Sequence, residues 1–154
     1  MRRRTAPCAA IVLALAVSLQ LTGCANPAAQ TCFDWPHFAD PSAAADEADA
    51  VALGRVVDQE GTVSYYGVPA ATWNVAVDEW ISGGGANADI VVTSVPRGCG
   101  DTDDSMTHAA GGDPVVLFLH DSDDGWQTVT PRQGIVEPGP GGGVPAGWPP
   151  DPNN

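Results

Sequence analysis

Hydrophobic alternation with a period of two runs through the chain between Ala50 and Val136, and it restricts the possible fold more than any other feature. Ala50 to Val57 places small or apolar residues on both faces of a strand, with Gly54 where that strand can bend sharply. Thr72 to Trp80 alternates cleanly, with Trp73, Val75 and Val77 on one face and Thr72, Asn74 and Asp78 on the other. Ser82-Gly83-Gly84-Gly85 ends that run as a turn, since no phosphate-binding spacing or helix signal follows it, and Asp89 to Val95 forms a third strand. Val115 to Leu119 is the most apolar run of the chain beyond Cys24 and predicts a central strand. Asp121-Ser122-Asp123-Asp124-Gly125 predicts a tight turn into a strand over Trp126 to Thr130, and Gly134-Ile135-Val136 adds a last short one. Ahead of the strands, Asp40-Pro41-Ser42 supplies a cap and a first-turn proline for one short helix over Ala43 to Ala48. Pro96 to Asp113, carrying Asp101, Asp103 and Asp104, reads as a solvated loop. Short strands with turns between them predict an all-β fold of five or six strands with one or two short helices. A small closed barrel is the leading architecture and a β-sandwich the alternative. One-face alternation assigns Val51, Leu53, Val75, Val77, Val92, Leu117 and Leu119 to the core.

The first residues follow a different rule. Arg2, Arg3 and Arg4 precede an apolar run from Ala9 to Leu21 and the small residues Thr22 and Gly23, the composition of a secretory signal peptide. A spanning helix needs roughly 20 apolar residues, and this run is shorter. Leu21-Thr22-Gly23-Cys24 resembles the lipobox of bacterial lipoproteins. That resemblance implies cleavage before Cys24, a diacylglyceryl group on its sulfur, and further acylation of the new amino group with chains such as palmitate. The expected organisation is a signal peptide over 1–23, a tether over 24–31, a β-barrel domain over 32–137 and a disordered Pro/Gly-rich tail over 138–154. The expected location is the extracytoplasmic face of the cell membrane, held by lipid on Cys24.

Removing 23 residues from 154 leaves 131, enough for one domain with a core. That part has only Arg55, Arg97 and Arg132 against 19 acidic residues and no Lys, a formal charge of −16. Such a surface repels phosphate backbones, which argues against a nucleic-acid partner. It is repelled by anionic headgroups too, so attachment to the membrane rests on acyl chains. With Cys24 modified, Cys32 and Cys99 remain in an exported domain, and a disulfide between them is expected.

Cys32, the block Ala48-Asp49-Ala50-Val51-Ala52-Leu53-Gly54-Arg55-Val56, the block Val75-Ala76-Val77-Asp78-Glu79-Trp80-Ile81-Ser82-Gly83, then Cys99-Gly100 and Gly112-Asp113-Pro114-Val115-Val116-Leu117-Phe118-Leu119 form a series. In this order they resemble bacterial relatives of the tissue inhibitors of metalloproteinases. The resemblance covers about Cys32 to Val136 and implies an OB-like barrel. Two features depart from it: Ser82 stands where a Lys is common, and later cysteines are missing. In the animal inhibitors a free N-terminal cysteine chelates the protease zinc through its amine and carbonyl. Here Cys24 is expected to be acylated and Cys32 is internal, so that mechanism does not carry over.

Catalytic signals are weak. His37, His108 and His120 lack ligand spacing, and no Gly-x-Ser-x-Gly occurs. Asp121 to Gly125 fails the EF-hand pattern, because its Gly comes one position early and Arg132 stands at the twelfth position. Asp78-Glu79 and Asp103-Asp104 are adjacent carboxylates of the kind an acidic chain produces by chance. Trp73, Trp80 and Trp126 sit at strand positions, where core packing competes with lining a groove. The expectation is a noncatalytic, lipid-anchored domain that binds a protein or an envelope component, with no cofactor and no metal. The alternatives are a surface hydrolase or metal-dependent enzyme using the Asp and His loops, His108 and His120 above all, and a protease inhibitor that does not use an N-terminal amine.

Overall fold

The computed structural model describes residues 31–101 and 104–150; the signal peptide, the lipobox with Cys24, and Asp103 lie outside them. Helix α1 (Pro41–Glu47) comes first, then β1 (Ala50–Tyr65), β2 (Val68–Ser82) and β3 (Asp89–Thr93). A second short helix, α2 (Ser105–Ala109), precedes β4 (Val115–Ser122), β5 (Gly125–Thr128) and β6 (Ile135–Val136). The sheet order is β1-β2-β3-β5-β4-β6, and an added β1–β4 pairing closes five of the strands into a ring. All pairings are antiparallel except β3 with β5. This is an OB-like barrel, and the ring sets aside the sandwich alternative.

The bend expected at Gly54 is where β1 leaves one partner. Ala50 to Gly54 pair with β4, and from there on β1 pairs with β2 alone, with a register shift between Leu53 and Gly54. A Cβ at Gly54 would stand 2.6 Å from the Ala76 carbonyl oxygen, so the closest approach of β1 to β2 admits only glycine. Beyond Val57 the hairpin continues to Tyr65 and returns from Val68 through Tyr66 and Gly67, both at positive φ.

Two apolar clusters, not one, use the alternation. Ala50, Ala52, Val56, Trp73, Val75, Val92, Leu117 and Leu119 fill the barrel. Val51, Val116, Phe118, Val129 and Val136 form a second cluster on its outside, with Leu53 packed at its edge. Val51 and Leu53, expected in the main core, therefore belong to the outer one: on β1 the inward positions carry the small Ala50 and Ala52, which suit a narrow lumen. β4 is buried on both faces, which explains its unbroken apolar run.

The outer cluster is covered by α1 and by the C-terminal segment. Asp40 caps α1 by accepting a hydrogen bond from the Ala43 amide at 2.9 Å, and Pro41 opens it. Trp148 packs edge-on against Phe118 with ring centroids 5.9 Å apart and donates to the Phe38 carbonyl at 3.0 Å. Gln133 holds the same residue from both sides, donating to the Phe38 carbonyl and accepting from its amide, each at 2.9 Å. The expectation of a disordered tail is thereby corrected over residues 138–150: one Trp and Val144 give the Pro/Gly sequence an apolar seat.

Helix α2 corrects the reading of Pro96 to Asp113 as loop. Asp104 caps it by accepting from the Met106 amide at 2.9 Å, and Met106 is fully buried. The same carboxylate accepts from Trp73 Nε1 at 2.7 Å and from the Ser94 hydroxyl, so it joins β2, the end of β3 and α2. Trp73 and Ser94 are 5% and 4% exposed, so their donors have no solvent to fall back on. Replacing Asp104 with Ala should cost about 3 kcal/mol, from two stranded donors and a lost cap. Urea unfolding of the variant checks this, and a loss below about 1 kcal/mol would contradict the role.

Candidate functional site: a groove along β3

Along the outer face of β3 runs a groove of about 900 Å³. Its position follows from the strand registers. Thr93 lies beside Thr72 toward the β1–β2 hairpin, and Asp89 lies beside Ala76 at the far end. The hairpin tip with Tyr65 and Tyr66 bounds one end, and the β4–β5 turn with Asp123 and Asp124 bounds the other. This places the groove on the β2–β3 face between the two loops that OB barrels use for ligands.

The aromatic end is built from residues far apart in the chain. Phe33 and Trp35 pack on Tyr65 with centroids 5.6 and 6.0 Å away, and Tyr65 meets Tyr66 edge-on at 5.0 Å. Trp35 is fixed by donating to the Pro96 carbonyl at 3.0 Å, and the Cys32–Cys99 disulfide ties the segment before Phe33 to the loop after β3. Tyr66 itself is 80% exposed. Burial first, and then the neighbouring Tyr66, push the Tyr65 hydroxyl above its ordinary 10.0, so it stays a neutral donor. At the opposite end Trp126 packs against Trp80 with centroids 5.6 Å apart and exposes part of its ring to the groove.

Among the described residues four carboxylates, Glu60, Asp89, Asp123 and Asp124, line the groove, and no Arg, Lys or His does. The described arginines are elsewhere. Arg55 pairs with Asp78 at 2.8 Å, while Arg97 and Arg132 border a different pocket of about 700 Å³ beside the disulfide.

The residues singled out in the sequence do not come together as a catalytic set. His37 lies exposed beside the disulfide pocket and His108 lies exposed on α2. His120, near the end of β4, is 3.1 Å from Asp49, which also accepts the Asp121 amide at 3.0 Å. That amide, and then the His120 ring, hold the Asp49 carboxyl below its ordinary 3.8. Because the folded-state value is depressed, the contact stabilises the fold at pH above the ordinary value. Its contribution is lost as pH falls through the depressed one. Among the described residues no group of three or more His, Cys, Asp or Glu is placed to hold a metal ion. Asp78 is an ion-pair partner, Glu79 is exposed on β2, and Asp104 is the structural hub described above. Asp121 and Ser122 belong to β4, and the turn itself falls on Asp123 and Asp124, with Gly125 at φ 99°.

Sequence reasoning missed Phe33, Trp35, Tyr65 and Tyr66. The available signal was Tyr65-Tyr66-Gly67, an aromatic pair at a glycine turn, where two large rings have no reason to sit unless something covers or meets them.

Fold and groove together define a small OB-like barrel with an acidic, aromatic-ended groove on one face. No protein family, no curated protein and no solved structure matches the chain.

Proposed function

We propose that this protein is a noncatalytic binding domain, held by lipid on Cys24 at the extracytoplasmic face of the cell membrane, whose β3 groove captures a protein or another envelope component. The observation that supports this most is the groove itself. It joins an aromatic end to an acidic end along a strand. Aromatic side chains of this kind give large contact area at small entropic cost. The Cys32–Cys99 disulfide agrees with an oxidising compartment.

Photo-crosslinking from position 66 in intact envelopes tests the reading. The expected result is a discrete adduct that disappears when Asp89 and Asp124 are changed to Asn. Hydrolysis of an envelope substrate by the purified protein, abolished by His108→Ala together with His120→Ala in a folded variant, would replace it with the enzyme reading.

A further inference from the structure

The geometry points to an extended, positively charged peptide segment of a partner protein as the occupant of the β3 groove. The inference rests on the binding reading above and adds the chemistry of the ligand.

Three observations carry it. First, β3 offers a free edge. It pairs with β2 over its whole length but with β5 only through Val92 and Thr93, and no described strand pairs with Asp89 to Val91 on that side. Backbone amides and carbonyls there are open to a chain laid alongside, the mode by which a peptide adds to a sheet. The three free positions of the strand span about 10 Å, which matches about three residues of extended peptide, and the rest of the peptide would run on over the groove. Second, Val91 is 41% exposed and Val63 45% exposed along the same groove, so its wall is apolar where alternate side chains of an added strand would fall. Third, the charge is of one sign, with Glu60 toward the hairpin and Asp89, Asp123 and Asp124 toward the turn. A Lys or Arg at alternate positions would face these carboxylates, and the faces of Tyr66 and Trp126 offer cation–π contact. A phosphate-bearing chain meets only repulsion here. A neutral glycan would use the rings but leave the carboxylates without a counter-charge.

The strong overall negative charge demands a test that separates the groove from general acidity. The probe is the capped peptide Arg-Val-Arg-Val-Arg-Val on the detergent-solubilised full-length protein, with the same peptide carrying Glu for Arg, and a neutral chito-oligosaccharide, as comparators. The expected result is saturable binding of the Arg peptide alone. Affinity should fall at least tenfold in the triple variant Asp89→Asn, Asp123→Asn, Asp124→Asn, and also in Tyr66→Ala. Changing the remote exposed acids Asp46, Glu47 and Asp113 to their amides should leave it within twofold. Equal loss from both sets of charge changes, or binding of the Glu peptide or the glycan in place of the Arg peptide, overturns the inference. Circular dichroism confirms that each variant remains folded. If the Arg peptide fails while the envelope crosslink from position 66 persists, the binding reading stands and the ligand class falls. If both fail, both fall.

Discussion

Opening the Cys32–Cys99 disulfide should lower the unfolding free energy by roughly 4 kcal/mol, the largest single loss expected from any one bond in this domain. The bond closes a loop of 67 residues, and the chain-entropy cost of that closure, borne in the denatured state, gives the figure. A small barrel whose net stability is on the order of 5–15 kcal/mol feels such a loss as a large fraction of its total. The effect in the folded state adds to it. Residues from Thr31 onward reach the barrel through the Cys99 amide, which donates to the Thr31 carbonyl at 2.8 Å, and through the Cys32–Gly98 bridge. Loosening them also loosens Phe33 and Trp35, on which Tyr65 rests. The double variant Cys32→Ser, Cys99→Ser should therefore unfold at lower urea and, while still folded, expose Tyr65 further to solvent. Thiol labelling of the native, unreduced protein should find neither cysteine. A stability difference below 1 kcal/mol between oxidised protein and variant would show that the bond does not carry this share.

The parts of the fold legible in the sequence are those where burial and period coincide. β2 and β4 were readable because Trp73 and Val75 alternate inward, and because Val115 to Leu119 is buried on both faces. The cap at Asp40 and the bend at Gly54 were readable because each depends on one residue's own chemistry. The hairpin beyond Val57 was not, since Asp58 to Ser64 is almost wholly exposed and its pairing comes from β2 across the turn, not from a pattern of its own. Helix α2 was hidden for a similar reason: five residues with one large apolar side chain give no periodicity, and its cap Asp104 looked like one more loop acid. The second apolar cluster was also hidden. Phe38, Val144 and Trp148 join it from segments without regular structure, and only the folded chain brings them onto Phe118. The groove could not be read because its walls come from the β1–β2 hairpin, β3 and the β4–β5 turn, which the sheet pairings, the parallel β3–β5 pairing among them, bring together from distant parts of the chain. Parallel neighbours leave no mark on the local sequence.

Changing Cys24 to Ser should move the protein from the membrane fraction to the soluble one. Among the described residues no helix is long and apolar enough to cross a membrane. The part of the chain from Cys24 onward carries 19 acidic residues against three arginines, so anionic headgroups repel it. Under the proposed anchoring, attachment rests on the acyl chains. Each buried methylene contributes about 0.8 kcal/mol, so one chain binds marginally and two or three bind durably. From Cys24 to Cys32 the backbone spans at most about 28 Å, since a residue extends roughly 3.5 Å. Under the proposed anchoring, the disulfide end of the barrel, and with it the aromatic end of the groove, would be held within that reach of the lipid surface. In detergent-phase partitioning the wild type should enter the detergent and its first mature peptide should carry acyl mass, whereas Cys24→Ser should do neither. The variant should keep its Arg-peptide affinity in solution, because the groove and the anchor share no residue. If Cys24→Ser were processed and retained at the membrane like the wild type, the anchor would have to lie elsewhere in the chain.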